Sequence, residues 1–421
     1  MLSAMSAAPS ETEIRRRRWP RVLAWIIPVA LVLGAAGYVA VVATAPMPAP
    51  TVHPGAELAA VSADPAAAQA AVDEQSLPTA IAWLDGKDIW TNDDAAHPLA
   101  SISKLVTVLV CQEVQPIAPG EDGPGYTWTE ADAERQDYYL SLDGVAFPVP
   151  VGTEMTARQM LTLIFLPSAN DFAAAYAYSV FGDNETFVAA VRDWADRHEL
   201  ASLELVEPTG MDEGNVASTS DIIRIGRMVL SDPALAEFTR TRTAVMPWGI
   251  GVVENTNPLL GELPGMLGVK TGRSASAGFN YLAAQKSSAD GRDLVKMSVT
   301  LGRPSIEARA QSGREMLAAI EELPQLTEVI TEGEHVGTLV GADGASIDLL
   351  AKASAETTLL PGESAERSVT FAASPSARAR EFGAVTAHTP SGDIVVPIRR
   401  AAALPEPDLW WRLTHPTALF R

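Results

Sequence analysis

The sequence contains very few of the residues from which disulfide frameworks and metal centres are built. Its single cysteine, Cys111, cannot form an intramolecular disulfide bond. The six histidines show neither H-E-x-x-H nor another metal-ligand spacing, so we expect no metal and no cofactor, and zinc-dependent peptidases are excluded. The G-x-S-x-G motif that holds the serine of α/β-hydrolases is also missing.

Positive charge is scarce as well. Against 52 acidic residues the chain has 31 basic ones, which gives a net charge of −21 and a pI near 4.7. No basic cluster follows the N-terminal arginines, so we exclude nucleic acid as a partner. Only six of the basic residues are lysines, and two of these six belong to the motifs described below.

The N-terminus carries a signal for the membrane. Four arginines, Arg15 to Arg18, precede residues 22–43, which contain no charged side chain and are long enough to cross a bilayer. The positive-inside bias predicts that 1–21 stays in the cytoplasm and that the rest of the chain is exported. The triplet Ala43-Thr44-Ala45 resembles a signal-peptidase site, but the apolar stretch exceeds the usual signal length of about 7–15 residues. We expect an uncleaved single-pass anchor, with a cleaved signal peptide as the alternative.

Three short motifs give the first positive indication of chemistry. They are Ser101-Ile102-Ser103-Lys104, Ser168-Ala169-Asn170 and Lys270-Thr271-Gly272. The first opens an apolar helix, the second lies in a loop between two apolar helices, and the third ends a strand. Ser101 and Lys104 are three positions apart, so their side chains lie on one face of the helix. The order and the contexts together predict a serine acyl-transfer site whose base is a lysine.

Taken singly, the second and third motifs have simpler explanations. Ser168-Ala169-Asn170 could be a helix N-cap, because serine and asparagine favour that position. Lys270-Thr271-Gly272 could be no more than a strand that ends in a turn. The agreement of order, spacing and local context among all three motifs favours a shared site over these explanations.

With these motifs the sequence resembles the serine D-alanyl-D-alanine carboxypeptidases, which are low-mass penicillin-binding proteins of the penicillin-recognising acyltransferase superfamily. Two further segments, Glu207-Pro208-Thr209-Gly210-Met211-Asp212 and Ala277-Gly278-Phe279, are similar to landmarks of that family. The likeness extends over about 80–301, although the family more often has threonine where this chain has Ser103. It implies an α+β fold of the β-lactamase and transpeptidase type, in which helices and a helical lobe flank an antiparallel sheet. The element pattern of the chain favours the same class.

The residues themselves suggest how the serine is activated. A serine hydroxyl is a weak nucleophile and needs a neighbour that accepts its proton. Lys104 can accept it only when unprotonated, which requires a pKa lowered by burial and by a second cation nearby, and we expect Lys270 to be that cation. Lysine at both positions in an arginine-rich chain fits this expectation, because an arginine cannot give up its proton.

The resemblance implies roles for the remaining motif residues. Ser168 relays a proton to the leaving amine, and Asn170 binds the amide backbone of the substrate. Lys270 and Thr271 hold the terminal carboxylate, a task that suits an ammonium beside a hydroxyl. Gly272 leaves the strand edge bare for the ligand backbone. The backbone N–H groups of Ser101 and Arg273 form the oxyanion hole.

The expected function is a membrane-anchored serine D,D-carboxypeptidase that removes the terminal D-Ala of peptidoglycan pentapeptides through a Ser101 acyl-enzyme. Its partners are then stem peptides ending in D-Ala-D-Ala, and β-lactams act as covalent inhibitors. A D,D-endopeptidase shares these residues and stays open as an alternative. A β-lactamase is less favoured, because Glu204 and Glu207 lie in the right region but lack the E-x-x-L-N pattern of class A enzymes. A catalytically silent wall-binding homologue is the last alternative.

Composition divides the chain into six segments. They are a cytoplasmic basic segment (1–21), a transmembrane anchor (22–43), an Ala/Pro-rich tether (44–76), the serine peptidase domain (77–323), a small β-rich domain (324–403) and an aromatic and basic tail (404–421). In the tail, Trp410 and Trp411 precede Arg412, which suits a membrane interface. Packing of the tail against the β-rich domain is the alternative.

Overall fold

A computed structural model describes residues 19–373 and 379–420 of the chain. The predicted cytoplasmic arginines, Arg15 to Arg18, lie outside the described residues. The chain divides into two compact units. One consists of Met1–Val61, Glu328–Glu356 and Ala365–Arg421, and the other of Ser62–Thr327 and Thr357–Ser364.

Helices are most frequent in the first three quarters of the chain. They are α1 (Trp19–Thr44), α2 (Ala66–Asp73), α3 (Ser103–Val114), α4 (Glu130–Ser141), α5 (Ala157–Phe165), α6 (Asn170–Phe181), α7 (Asn184–Arg197), α8 (Thr219–Ser231), α9 (Pro233–Thr239), α10 (Ile306–Glu321), α11 (Leu409–Thr414) and α12 (Pro416–Leu419).

Strands occur from residue 51 onward and dominate the C-terminal part. They are β1 (Thr51–Pro54), β2 (Val61–Ser62), β3 (Thr79–Trp83), β4 (Ile89–Thr91), β5 (His97–Pro98), β6 (Gly125–Thr127), β7 (Glu154–Thr156), β8 (Val216–Ala217), β9 (Thr243–Met246), β10 (Gly251–Glu254), β11 (Met266–Ser274), β12 (Gly278–Ala289), β13 (Arg292–Arg303), β14 (Gln325–Ile330), β15 (His335–Val340), β16 (Ser346–Ala351), β17 (Ala355–Leu359), β18 (Ser364–Phe371), β19 (Gly383–Thr389) and β20 (Gly392–Arg400).

The larger unit is built on an antiparallel sheet with the strand order β11, β12, β13, β3, β4. Successive residues of a strand point to opposite faces, so each face of the sheet has its own core. Ala80 and Ala82 of β3 belong to the main core, together with residues of α3, α5, α6 and α8. Ile81 and Trp83 instead face a second core that includes α2 and α10. The sheet is therefore covered on both faces, and the helices between β5 and β10 form the lobe.

This architecture confirms the predicted α+β fold, with an antiparallel sheet, flanking helices and a helical lobe. The smaller unit confirms the predicted β-rich domain: a seven-stranded sheet has the order β1, β15, β16, β20, β19, β18, β2. Its core is formed by alternating inward-facing residues such as Val385 and Ala387 of β19, both fully buried. The domain boundaries near 77, 323 and 403 stay predictions.

The predicted tether over 44–76 differs from the structure in two places. Thr51–Pro54 forms an edge strand that pairs with β15, and an edge position tolerates a proline because one side of the strand needs no ladder bonds. Ala66–Asp73 forms a helix whose Ala68 and Val72 are fully buried. These two residues are four positions apart and give the helix an apolar face that composition alone concealed.

The N-terminal helix α1 is long and apolar. Its segment Ala24–Thr44 has a mean hydropathy of 2.4 over a membrane-length window, which makes it a candidate membrane span. The predicted tail contains two short helices, α11 and α12, rather than one long amphipathic helix. Pro416 starts the second of them, at the position where a proline is best tolerated in a helix.

Candidate active site

The first motif, which contains the predicted nucleophile Ser101, lies where a single 3₁₀ turn, Ala100–Ile102, leads into α3. Ile102 and Leu105 are fully buried in the main core and fix the start of this helix. Lys104 stands on the first turn, and its Nζ donates a hydrogen bond to Ser101 Oγ at 2.8 Å. The three-residue spacing thus brings the hydroxyl and the amine into direct contact, as the sequence predicted.

Lys104 is almost completely enclosed. Only 1% of the residue is exposed, and its Nζ also donates to Asn170 Oδ1 at 2.6 Å and to the Thr209 carbonyl at 2.7 Å. Burial lowers the pKa of Lys104 to about 7, against the opposing effect of the negative charges of Glu207 and Asp171. Near neutral pH a substantial fraction of this amine is therefore unprotonated and can accept a proton.

The second motif occupies the connection between α5 and α6. Ser168 has a φ of 70°, in the left-handed region that serine rarely adopts. This conformation accompanies a hydrogen bond of 2.8 Å in which Lys270 Nζ donates to Ser168 Oγ. The following residue but one, Asn170, begins α6 and donates its backbone N–H to the Val145 carbonyl at 2.7 Å. Ser168 thereby lies in contact with one lysine, while Asn170 contacts the other.

Lys270 is as deeply buried as Lys104, with 2% of the residue exposed. Burial lowers its pKa well below the usual lysine value, and the positive charges of Lys104 and Arg309 lower it further. The sequence predicts that burial and a second cation, Lys270, together lower the pKa of Lys104. In the structure, burial is the largest cause for both amines. The charge of Lys104 lowers the pKa of Lys270, whereas the charges that act on Lys104 are those of Glu207 and Asp171, which raise its pKa.

A buried carboxylate holds the loop beside Asn170 in place. Asp171 accepts hydrogen bonds from the Phe147 N–H at 2.9 Å and from Gln136 Nε2 at 3.2 Å. Burial raises the pKa of Asp171 to about 6. A Cβ atom on Gly144, in the same loop, would lie 2.7 Å from Asn170 Nδ2. The loop therefore approaches the amide of Asn170 as closely as a glycine allows.

The third motif belongs to β11, which borders the nucleophile turn. Thr271 Oγ1 forms a 2.7 Å hydrogen bond with Thr256 Oγ1. A Cβ atom on Gly272 would lie 2.6 Å from the Leu99 carbonyl and 3.2 Å from the backbone nitrogen of Ser101. Glycine is thus required here because the strand passes directly against the turn that carries Ser101.

The hexapeptide that begins at Glu207 reaches the same turn from another direction. Gly210 has a φ of 85°, and a Cβ atom there would lie only 2.0 Å from the Ala100 carbonyl. The Glu207 carboxylate accepts backbone N–H bonds from Thr209 at 2.7 Å, from Gly210 at 2.6 Å and from Met211 at 2.9 Å. These bonds fix the loop so that the Thr209 carbonyl faces Lys104.

Most of the predicted site residues line a cleft of about 270 Å³. Those that line it are Ser101, Ser168, Asn170, Thr271, Gly272 and Arg273. Lys104 and Lys270 lie behind this wall, each in contact with one of the two serines. The residues that line the cleft include neither Glu204 nor Glu207.

Two charged residues at this site, Arg309 and Asp171, were not predicted from the sequence, and a third, Glu207, has a different role from the catalytic one weighed above. Arg309 of α10 lines the cleft, is 5% exposed and donates to the Gly272 carbonyl at 3.4 Å. Asp171 directly follows the second motif. It holds the neighbouring loop because it is buried, and the sequence does not reveal that burial. Glu207 was considered as a catalytic glutamate, whereas its carboxylate is bound by backbone N–H groups. The Pro-Thr-Gly sequence that follows Glu207 was the one signal that pointed to a tight loop around it.

The profile of the D-alanyl-D-alanine carboxypeptidase family, peptidase S11, matches residues 88–304, just over half of the chain. The chain is similar to D-alanyl-D-alanine carboxypeptidase DacF of Bacillus subtilis strain 168, with 28% identity over 195 residues, 44% of this chain and 47% of that protein. It is also similar to the D-alanyl-D-alanine endopeptidase of Pseudomonas aeruginosa, with 30% identity over 164 residues, 37% of this chain and 47% of that protein. The matches thus span about half the length of these relatives.

Among solved structures the fold is similar to that of the D-alanyl-D-alanine carboxypeptidase DacD from Francisella tularensis. The TM-score is 0.54 at 16% sequence identity, and the match covers 79% of this chain and 95% of that one. At this identity the likeness shows a shared fold.

Proposed function

Because the chain belongs to the D-alanyl-D-alanine carboxypeptidase family, peptidase S11, we propose that it is a serine D,D-carboxypeptidase acting on peptidoglycan stem peptides that end in D-Ala-D-Ala. The observation that carries the proposal is the 2.8 Å contact between Ser101 Oγ and the Nζ of Lys104. The pKa of this buried amine is about 7. A hydroxyl beside an amine that is partly neutral at physiological pH is a nucleophile with its base in place.

Acylation begins when Ser101 Oγ attacks the carbonyl carbon of the penultimate D-Ala. Its proton passes to the neutral Nζ of Lys104 as the new C–O bond forms. The negative charge that develops on the carbonyl oxygen is stabilised by the backbone N–H groups of Ser101 and Arg273. Such donors typically contribute about 3 kcal/mol each to the stability of the transition state.

The leaving amine needs a proton when the C–N bond breaks. Ser168 is the relay in this proposal, because its hydroxyl lines the cleft and contacts Lys270 at 2.8 Å. The Ser168 hydroxyl gives its proton to the departing D-Ala nitrogen and regains the proton that Lys104 had taken from Ser101, passed on by Lys270, which contacts Ser168. Lys104 is then neutral again. Water then attacks the carbonyl carbon of the acyl-enzyme, and Lys104 accepts its proton. Lys104 returns this proton to Ser101 Oγ as the ester bond breaks, which releases the shortened peptide.

The terminal carboxylate of the substrate requires a positive site. We assign this role to Thr271, with Lys270 behind it, as the sequence predicted, and add Arg309, whose guanidinium is buried at the edge of the cleft. Burial lowers the pKa of Arg309, and an incoming carboxylate would compensate for this desolvation. Asn170 then binds the amide backbone of the peptide.

A D,D-endopeptidase is the second candidate, favoured by the similarity to the Pseudomonas aeruginosa endopeptidase. The two activities differ in the group that leaves: D-Ala in one case, and a cross-linked stem peptide in the other. The same serine and lysine serve both reactions.

The test uses the purified full chain and two substrates, a pentapeptide ending in D-Ala-D-Ala and a cross-linked muropeptide dimer. We expect release of free D-Ala from the pentapeptide, complete loss of release in Ser101→Ala, and retained release in Ser141→Ala, a control at an exposed serine. Cleavage of the dimer without D-Ala release would move the assignment to endopeptidase. Rapid turnover of penicillin, instead of a long-lived acyl-enzyme, would identify a β-lactamase. If neither substrate is cleaved and penicillin does not label Ser101, the chain is a silent homologue.

The same proposal includes membrane anchoring through α1, with 1–21 in the cytoplasm and the peptidase domain outside. Its support is the length and apolarity of Ala24–Thr44. N-terminal sequencing of the protein recovered from carbonate-washed membranes tests it. A retained N-terminus supports the anchor, and a new N-terminus near Ala45 would show that the helix is a cleaved signal.

A further inference from the structure

The C-terminal segment, defined here as residues 409–420, packs against the end of the N-terminal helix α1. Val42 and Ala45, at that end, form a buried cluster with Leu419. Trp411 and Leu413 pack around the same cluster. Two parts of the chain separated by more than 360 residues therefore meet at the last turn of the candidate membrane helix.

Hydrogen bonds fix this contact. Arg412 Nη1 donates to the carbonyls of Ala43 and Ala45, each at 3.1 Å, and Tyr38 Oη donates to the Leu413 carbonyl at 2.7 Å. The last carbonyls of a helix have no partner within the helix, and a cation at this end also interacts favourably with the helix dipole. Arg412 therefore satisfies the end of α1 at the point where a spanning helix would leave the hydrocarbon.

The positions of these contacts along α1 indicate how deep the segment lies. The candidate span Ala24–Thr44 has 21 residues, about 31 Å of helix and close to the thickness of a hydrocarbon core. Tyr38 stands six residues before Thr44, about 9 Å further into the helix. Contacts at both positions place the segment within about 10 Å of the boundary, the depth at which interfacial helices lie.

Large apolar side chains of the segment point away from this contact. Leu409 is 47% exposed, Trp410 72% and Phe420 58%. Tryptophan is enriched at the membrane–water boundary because its ring is apolar and its N–H can reach a polar partner. A cluster of this kind, next to an apolar helix of membrane length, fits one partner better than any other, namely the lipid interface that surrounds the helix.

Building on the anchor proposed above, we propose that residues 409–420 form a collar around the outer end of α1. The collar binds the lipid headgroup region of the extracytoplasmic leaflet through Leu409, Trp410 and Phe420. It thus joins the two chain ends at one membrane boundary.

The experiment measures the depth of fluorescent labels in liposomes that contain the full chain. Cys111 is fully buried, and burial raises the pKa of its thiol, so it does not compete for a thiol label. Single cysteines replace Trp410 and Phe420 in the proposed collar, Leu31 in the middle of α1, and Val245, a 79% exposed residue of the peptidase domain, as the water-exposed control. Each label is quenched by lipids that carry a nitroxide at a shallow or a deep position.

We expect the labels in W410C and F420C to be quenched more strongly by the shallow than by the deep nitroxide, and at least about twofold more than the label in V245C. The label in L31C should respond most to the deep nitroxide. Quenching in L31C without quenching in W410C or F420C would overturn the collar and leave the anchor intact. Absence of quenching in L31C would overturn the anchor, and the collar with it.

Discussion

The carboxylate of Glu207 offers a test of how the protonation of Lys104 is controlled. The perturbation is Glu207→Gln, which removes one negative charge and keeps a carbonyl oxygen for the N–H groups of Gly210 and Met211. Because that charge raises the pKa of Lys104, its removal should lower the pKa. The acid limb of the acylation rate should then move to lower pH, since the neutral amine is the proposed base.

The size of the expected change in the pKa of Lys104 follows from the contacts around Thr209. Glu207 Oε2 accepts from the Thr209 N–H at 2.7 Å, and the Thr209 carbonyl accepts from Lys104 Nζ at 2.7 Å. With the width of one peptide residue between them, the two charges are about 8 Å apart. At an effective dielectric constant of about 20 this gives about 2 kcal/mol, or about 1.5 pKa units. Glu207 is only half-buried, so solvent screening reduces the expected shift to about one unit.

The assay is the pseudo-first-order rate of labelling by a fluorescent penicillin between about pH 5 and 9, expressed relative to each variant's own plateau. At pH 6 a shift of about one unit raises the relative rate about fivefold over the unsubstituted protein. Glu204→Gln is the matched control, because Glu204 is an exposed carboxylate three residues away that does not line the cleft. Asp171 and Lys270 also face Lys104, but they are common to all three proteins. If the plateau rate falls but the acid limb does not shift in pH, Glu207 affects the reaction only by holding the loop and not through its charge.

The same geometry supports three further predictions. Lys104→Arg should abolish penicillin labelling at every pH below about 11, because arginine stays protonated; labelling that persists would contradict the lysine base. Gly210→Ala places a Cβ atom 2.0 Å from the Ala100 carbonyl, so thermal unfolding should reveal a loss of roughly 3 kcal/mol or more. The control Gly291→Ala, with positive φ but open space around it, should cost only about 1–2 kcal/mol. Asp171 has its pKa raised from 3.8 to about 6, so the folded state holds a proton that the unfolded state has lost. Stability should therefore fall by up to about 3 kcal/mol as pH rises from about 4 to 6, and denaturant titrations of Asp171→Asn should lack this fall.

The sequence was sufficient to predict the parts of the site that depend on local spacing. The contact between Ser101 and Lys104 follows from their spacing of three positions at the start of a helix. Lys270 lies on a strand, as the sequence predicts, but that strand continues through Gly272 to Ser274 instead of ending at the motif. The fold class could also be predicted, because alternating and helical patterns change at the expected places. These features depend on short stretches of sequence and not on contacts between residues far apart in the chain.

What could not be predicted depends on burial and on loop conformation. The carboxylate of Glu207 is surrounded by N–H groups only because Gly210 adopts a positive φ, and a sequence pattern gives no dihedral angle. The hydrogen bonds of Asp171 go to residues about 25 to 35 positions earlier in the chain, Gln136 and Phe147. The strand Thr51–Pro54 could not be predicted from the sequence, because its partner β15 lies almost 300 residues later in the chain. Long-range pairing of this kind is not encoded in local composition.

The two glycines that border the nucleophile turn have a consequence for how activity arises during folding. Gly210 belongs to the lobe and Gly272 to the sheet, and each presses its bare backbone against the residues around Ser101. Neither the folded lobe alone nor the folded sheet alone would hold the Ser101 hydroxyl in the orientation needed for attack. A β-lactam should therefore acylate Ser101 only in chains whose lobe and sheet have both folded. Partly folded chains should not react with the drug.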